Sequence, residues 1–126
     1  MKYFLSIIVI LASSFAHAEC PVDAFDGEKI LKAVEDAQTC KEASSVAQNC
    51  AYGSSFDVAT TSIAILKCEQ DFEVYTAPLG GAYNTLISEC GAKYENEQGT
   101  MYRSFAAFCA LSVAEFFSET YPKSEE

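Results

Sequence analysis

The sequence predicts an all-α fold, a compact bundle of four to five short helices stapled by three disulfides. Three observations carry that expectation. Apolar residues recur at helical spacing along the chain beyond position 18, and no strand pattern competes there over any length. The three prolines, Pro21, Pro78 and Pro122, stand near the two ends and at one break, so the segments between them are free of the strongest helix breaker. Six cysteines, Cys20, Cys40, Cys50, Cys68, Cys90 and Cys109, make an even set in a chain that reads as exported, the pattern of a disulfide framework.

The export reading rests on the first eighteen residues. Lys2 supplies a small basic head, 4–12 is an apolar run, and Ala16-His17-Ala18 places small residues where a signal peptidase reads. The apolar run is too short to span a bilayer comfortably and lacks a basic stop on its far side. Cleavage after Ala18 divides the chain into a signal peptide, 1–18, and one domain, 19–126, of 108 residues. A domain of that size buries a modest core and gains from cross-links. The expected location is the periplasm or the extracellular space.

The helices follow in order. Over about 27–38, Ile30, Leu31, Val34 and Ala37 share a face, Asp26 is placed to cap, and Glu28 suits the first turn. Thr39 and Glu42 have capping-box spacing and predict a second helix to about 50, with Ala43, Val46 and Ala47 inward; the two could also join into one. Ser54 and Asp57 repeat that spacing ahead of a third helix to about 74. Its inner face is expected to carry Phe56, Ala59, Ile63, Leu66 and Phe72, widened by Val58, Ile65 and Cys68. "APLGG", 77–81, breaks it. A fourth helix covers about 82–93, with Tyr83, Leu86, Ile87 and Cys90 on one stripe. "ENEQG", 95–99, is a polar turn, and Thr100 is placed to cap a last helix over about 101–119. That helix is apolar around most of its girth, through Met101, Tyr102, Phe105, Phe108, Cys109, Val113, Phe116 and Phe117. Burial on several sides is therefore expected, with the other helices around it.

Helical geometry limits the disulfide pairing. If Cys40 and Cys50 lie on one helix they are about 15 Å apart, whereas a disulfide needs Cα atoms within about 7 Å. Each then pairs with another element, and the remaining connectivities stay open.

Composition narrows the chemistry. Once the leader and its Lys2 are gone, seven basic residues face eighteen acidic ones, a net charge of −11. Nucleic acid and anionic membrane surfaces are disfavoured as partners, and a cationic protein is favoured. His17, the only histidine, leaves with the leader, which removes Ser-His, Cys-His and metal-His arrangements. Oxidised cysteines supply no thiolate. No metal and no cofactor is expected: there is no Cys-x-x-Cys pair, no phosphate loop and no EF-hand loop, and the acidic alternation in "CEQDFE", 68–73, reads on a helix as a solvated face. The expectation is a protein without catalytic activity.

The candidate binding surface is "YENEQG", 94–99, where Glu95 and Glu97 stand in an exposed turn beside Tyr94, with the lone arginine, Arg103, just beyond. From Cys50 to Cys109 the chain also resembles the lysozyme-inhibitor LprI-like family of small exported helical proteins. The likeness is carried by "CEQDF", then "AYNTLISEC" with Tyr83 and Leu86, then "EQGTMYRSFAAFC" with Gln98, Arg103 and Cys109; the family usually carries a tryptophan near the late arginine, and this chain has none, with Tyr102 the nearest substitute. The resemblance implies an exported binder, some of whose relatives inhibit lysozyme. A structural or accessory periplasmic protein, and a small-molecule carrier with an apolar cavity, are the alternative readings.

Overall fold

The computed structural model describes residues 19–124; the segment read as a signal peptide, 1–18, lies outside the described residues, as do 125–126. Five helices follow one another: α1 (Gly27–Asp36), α2 (Cys40–Asn49), α3 (Phe56–Glu69), α4 (Leu79–Tyr94) and α5 (Thr100–Thr120). No strand occurs among the described residues. Three disulfides join Cys20 to Cys50, Cys40 to Cys68 and Cys90 to Cys109, so the fold is the disulfide-stapled all-α bundle. Cys40 and Cys50 bond to different elements, as the helical rise requires.

The first two helices start where side-chain oxygens satisfy free amide groups. Asp26 accepts from the Lys29 N–H at 3.2 Å, and Thr39 Oγ1 accepts from the Glu42 N–H at 3.1 Å. Glu42 reaches back one residue further than a capping box, to the Gln38 N–H at 3.0 Å. With 37–39 outside both elements, α1 and α2 are separate helices and not one. Ile30, Val34 and Ala37 from the first segment and Ala43, Val46 and Ala47 from the second are buried against each other.

In α3 the expected inner face holds only in part: Cys68 and, just past the helix, Phe72 are buried, and Phe56, Ile63 and Ile65 pack against the core, but the other three expected residues do not. Leu66 is 61% exposed and Val58 41%, and Ala59 also faces outward, while Asp57, Thr60, Thr61, Ala64 and Cys68 are buried. The physical reason is one carboxylate. Asp57 is fully buried and accepts from the backbone N–H groups of Tyr52 and Gly53, both at 2.8 Å, of Ser54 at 3.3 Å, and from Ser104 Oγ at 2.7 Å. Its position in the first turn also suits the helix dipole. The Asp57 carbonyl takes the Thr60 and Thr61 hydroxyls at 3.1 and 2.7 Å, so both threonines enter the interior with their donors satisfied.

Helix α3 ends at Glu69, five residues earlier than the periodicity suggests. Phe72 lies one turn beyond Cys68, so the apolar spacing continues after the helix has stopped. The chain leaves the helix because Asp71 is claimed by the end of α5: Ser118 Oγ donates to its carboxylate, and the Lys123 N–H donates to its carbonyl at 2.6 Å. "CEQDFE" is accordingly not a solvated helical face; Glu69 accepts from the buried Tyr83 hydroxyl at 2.7 Å. Phe72, Tyr83 and Phe117 then meet with ring centroids 5.0 to 5.6 Å apart, in the range where edge-to-face contacts add stability. Helix α4 begins at Leu79 and includes both glycines of the supposed break. Gly80 is there for close approach, since a Cβ at that position would lie 2.1 Å from the Val74 carbonyl oxygen.

Helix α5 packs against α2, α3 and α4, while α1 packs on α2 and α3, so the other helices do not all surround α5. Only Ser104, Leu111, Ala114, Phe117 and Ser118 are buried along it; Met101, Phe105 and Phe116 remain about half exposed, contrary to the burial expected on several sides. Among the helices α4 lies backbone-close only to α5, with the Tyr83–Glu69 hydrogen bond as its link to α3, and Cys90–Cys109 ties α4 and α5 together. Each disulfide closes a loop of 19 to 30 residues and contributes about 3 kcal/mol in the chain-entropy account.

Two outcomes follow from these contacts. Asp57→Ala leaves three amides and the Ser104 hydroxyl without their acceptor and should cost about 3 kcal/mol or more in urea unfolding, whereas Ser104→Ala, which removes one bond, should cost about 1.5 kcal/mol; equal, small losses would contradict the network. Burial, reinforced by the Glu69 bond, pushes the Tyr83 phenol far above the ordinary tyrosine range. Its contribution to stability is therefore intact below about pH 10 and lost as the pH rises further. An alkaline titration followed by phenolate absorbance should come up one tyrosine short until the fold opens.

Candidate functional site

The residues singled out in "YENEQG" sit where α4 hands over to α5. Tyr94 is the last residue of α4, and the turn closes with the Glu97 N–H donating to the Tyr94 carbonyl at 3.1 Å. Gly99 then takes φ +112°, a conformation that side chains oppose, and the chain enters α5 directly. Thr100 is therefore the first residue of α5 and not its cap: Gly99 holds the cap position, with no side-chain oxygen to offer. The Cys90–Cys109 bond lies one turn below Tyr94 and holds the two helices together at this end, with Cα atoms 5.6 Å apart.

The structure brings Tyr94, Glu95, Glu97 and Arg103 together around one concavity of about 560 Å³, with Gln98 and Tyr102 on the same wall. Small residues at Gly91, Gly99 and Ala106 keep the space open. Tyr94 and Tyr102 are half-buried; Glu95, Glu97 and Arg103 are exposed. Tyr94 and Tyr102 also join Phe105, which lies outside the concavity's lining, in a cluster of three rings, Tyr94 to Phe105 at 5.9 Å, Tyr102 to Phe105 at 5.9 Å and Tyr94 to Tyr102 at 6.4 Å. Arg103 also borders a second groove of about 460 Å³ with Ser55, Val58 and Ala107, so it stands on the ridge between two depressions.

The electrostatics of this end are unbalanced. The ion pairs among the described residues are Lys29–Asp26 and Lys32–Asp36, both at α1. Neither Glu95 nor Glu97 is neutralised by a basic side chain, and no carboxylate among the described residues lies within 4.0 Å of the Arg103 guanidinium. The nearest cation on an aromatic face is Lys93, whose ammonium lies 5.3 Å from the centroid of the Tyr94 ring. Such a wall offers carboxylate acceptors, tyrosine faces and one forked donor, the elements that recognise charged side chains. No group of three His, Cys, Asp or Glu side chains is placed to hold a metal among the described residues.

Two participants had no sequence signal of their own. Lys93 looks like an ordinary basic residue in a helix's last turn, and only the folded position of Tyr94 puts a ring beneath it. Ser104, next in sequence to the exposed Arg103, donates to the Asp57 carboxylate; its role depends on a partner 47 residues away. The six cysteines, by contrast, are all paired. No family model, no curated protein and no solved structure matches this chain, so its geometry alone speaks for what the site does.

Proposed function

We propose that the chain is an exported binding protein without catalytic activity that holds a cationic protein partner at the α4–α5 turn, with a lysozyme-like enzyme as the natural test case. The observation that carries this reading is the convergence of Tyr94, Glu95, Glu97 and Arg103 on one concavity at the end of a disulfide-tied hairpin. Interfaces favour tyrosine and arginine anchors with a polar rim. A surface with unneutralised acids also speeds the encounter with a basic partner. Export supplies the setting in which three disulfides form and persist, in the periplasm or outside the cell. The carrier reading finds less support, because Phe72, Tyr83 and Phe117 fill the aromatic interior with one another.

The test uses the disulfide-intact domain and a basic lysozyme. Association should be measurable at low salt and weaken as salt screens the charges. Glu95→Lys combined with Glu97→Lys should slow association about tenfold or more while the helical circular-dichroism signal is unchanged. Absence of association with a panel of basic proteins at low salt would remove this reading.

A further inference from the structure

The concavity's wall has features that say what part of a cationic partner it takes. The three rings of Tyr94, Tyr102 and Phe105 have centroids only 5.9 to 6.4 Å apart. They pack on one another and leave no space for an ammonium group between them, so a cage for a quaternary ammonium is ruled out by distance. A cation can lie only on the outer ring faces. The chain's own Lys93 already places its ammonium over the Tyr94 ring, 5.3 Å from the centroid, within the range of a cation–π contact. Tyr94 therefore presents a ring face to which a cation is drawn even inside this molecule. Glu95 and Glu97 flank that ring in the turn and carry no ion pair among the described residues.

We infer that, on the reading proposed above, the concavity is the seat of a single arginine side chain of the partner, its guanidinium stacked on the tyrosine wall and forked onto the Glu95 and Glu97 carboxylates. Arginine fits better than lysine for two physical reasons. Its planar group stacks on rings and is weakly hydrated, and its fork matches two carboxylate acceptors. Arg103 on the same wall repels every arriving cation, the arginine included; Glu95 and Glu97 outweigh it by one charge, enough for one guanidinium and not for a basic run. Lys93 does not line the concavity, but its ammonium draws on the same Tyr94 ring and so competes with the arriving arginine.

The experiment follows the ring signals of Tyr94 and Tyr102 by NMR in the disulfide-intact domain, titrated with the peptide acetyl-Gly-Arg-Gly-amide and with its citrulline and lysine counterparts. The arginine peptide should shift both rings in a saturable way, the lysine peptide at least threefold more weakly, and the uncharged citrulline peptide not at all. Tyr94→Leu keeps the net charge and should weaken the arginine peptide at least fivefold. Lys93→Gln should strengthen it two- to threefold, while Lys67→Gln, the same charge change on α3, should leave it unchanged. Equal shifts by the citrulline or lysine peptide, or an undiminished response in Tyr94→Leu, would overturn the assignment. Binding of a basic lysozyme that survives Tyr94→Leu would overturn this inference and leave the wider binding function standing. Arginine-peptide binding with no lysozyme association would support the seat and count against lysozyme as its bearer.

Discussion

The Asp57 carboxylate has no exposed surface and stays in the interior because four donors surround it, three from the backbone of 52–54 and one from Ser104. A buried charged group without such partners costs several kcal/mol, on the order of the whole stability of a small domain. The turn before α3, the first turn of α3 and the start of α5 must therefore be held in one arrangement. Ser104 lies between Arg103 and Phe105, so the bond that satisfies Asp57 also sets the rotation of α5 about its axis. That rotation turns Arg103 outward to the concavity and brings Phe105 against Tyr94. The candidate site thus inherits its geometry from a polar contact buried in the body of the fold.

The disulfides act on a different level. Cys20–Cys50 and Cys40–Cys68 close the α1–α2–α3 side, where the apolar core is made of small and β-branched residues and is correspondingly thin. Cys90–Cys109 serves α4, whose one backbone-close helix neighbour is α5. The two kinds of constraint are complementary. Cross-links limit the unfolded chain, whereas the Asp57 network and the Phe72–Tyr83–Phe117 cluster specify which folded arrangement is adopted.

Much of the fold was legible in the residues. Caps at Asp26 and Thr39, with Ile30, Val34, Ala43 and Ala47 at helical spacing, place α1 and α2 within two residues of where they lie. The third helix was found and its face only in part: Phe56, Ile63, Ile65, Cys68 and Phe72 turn to the core, while Val58, Ala59 and Leu66 do not. Apolar periodicity counts Thr60, Thr61 and Asp57 as outward, and they are inward because the threonine hydroxyls bond the Asp57 carbonyl and the Asp57 carboxylate is satisfied by the 52–54 amides and Ser104. Ser54 and Asp57 do show a capping pattern, but the reach to Ser104 is a tertiary fact with no local trace. The apolar girth of α5 misled in the opposite direction: Met101, Phe105 and Phe116 are surface residues of a domain too small to cover them. At the site, Tyr94, Glu95 and Glu97 were legible because they are contiguous in a polar turn. Arg103 joins them because Gly99 lets α5 start at once, and the Lys93 contact with Tyr94 was beyond reach of spacing alone.

The claim on which this account depends is that the Asp57 carboxylate binds the amides of Tyr52, Gly53 and Ser54, and native-state hydrogen exchange at those three positions tests it most directly. Tyr52 and Gly53 are exposed residues in a turn outside any helix, and such amides ordinarily exchange freely. If Asp57 holds them, all three should exchange as slowly as core amides such as those of Ala64 and Leu111, opening only when the domain unfolds. Exchange at the rate of a free turn, with the core still protected, would contradict it.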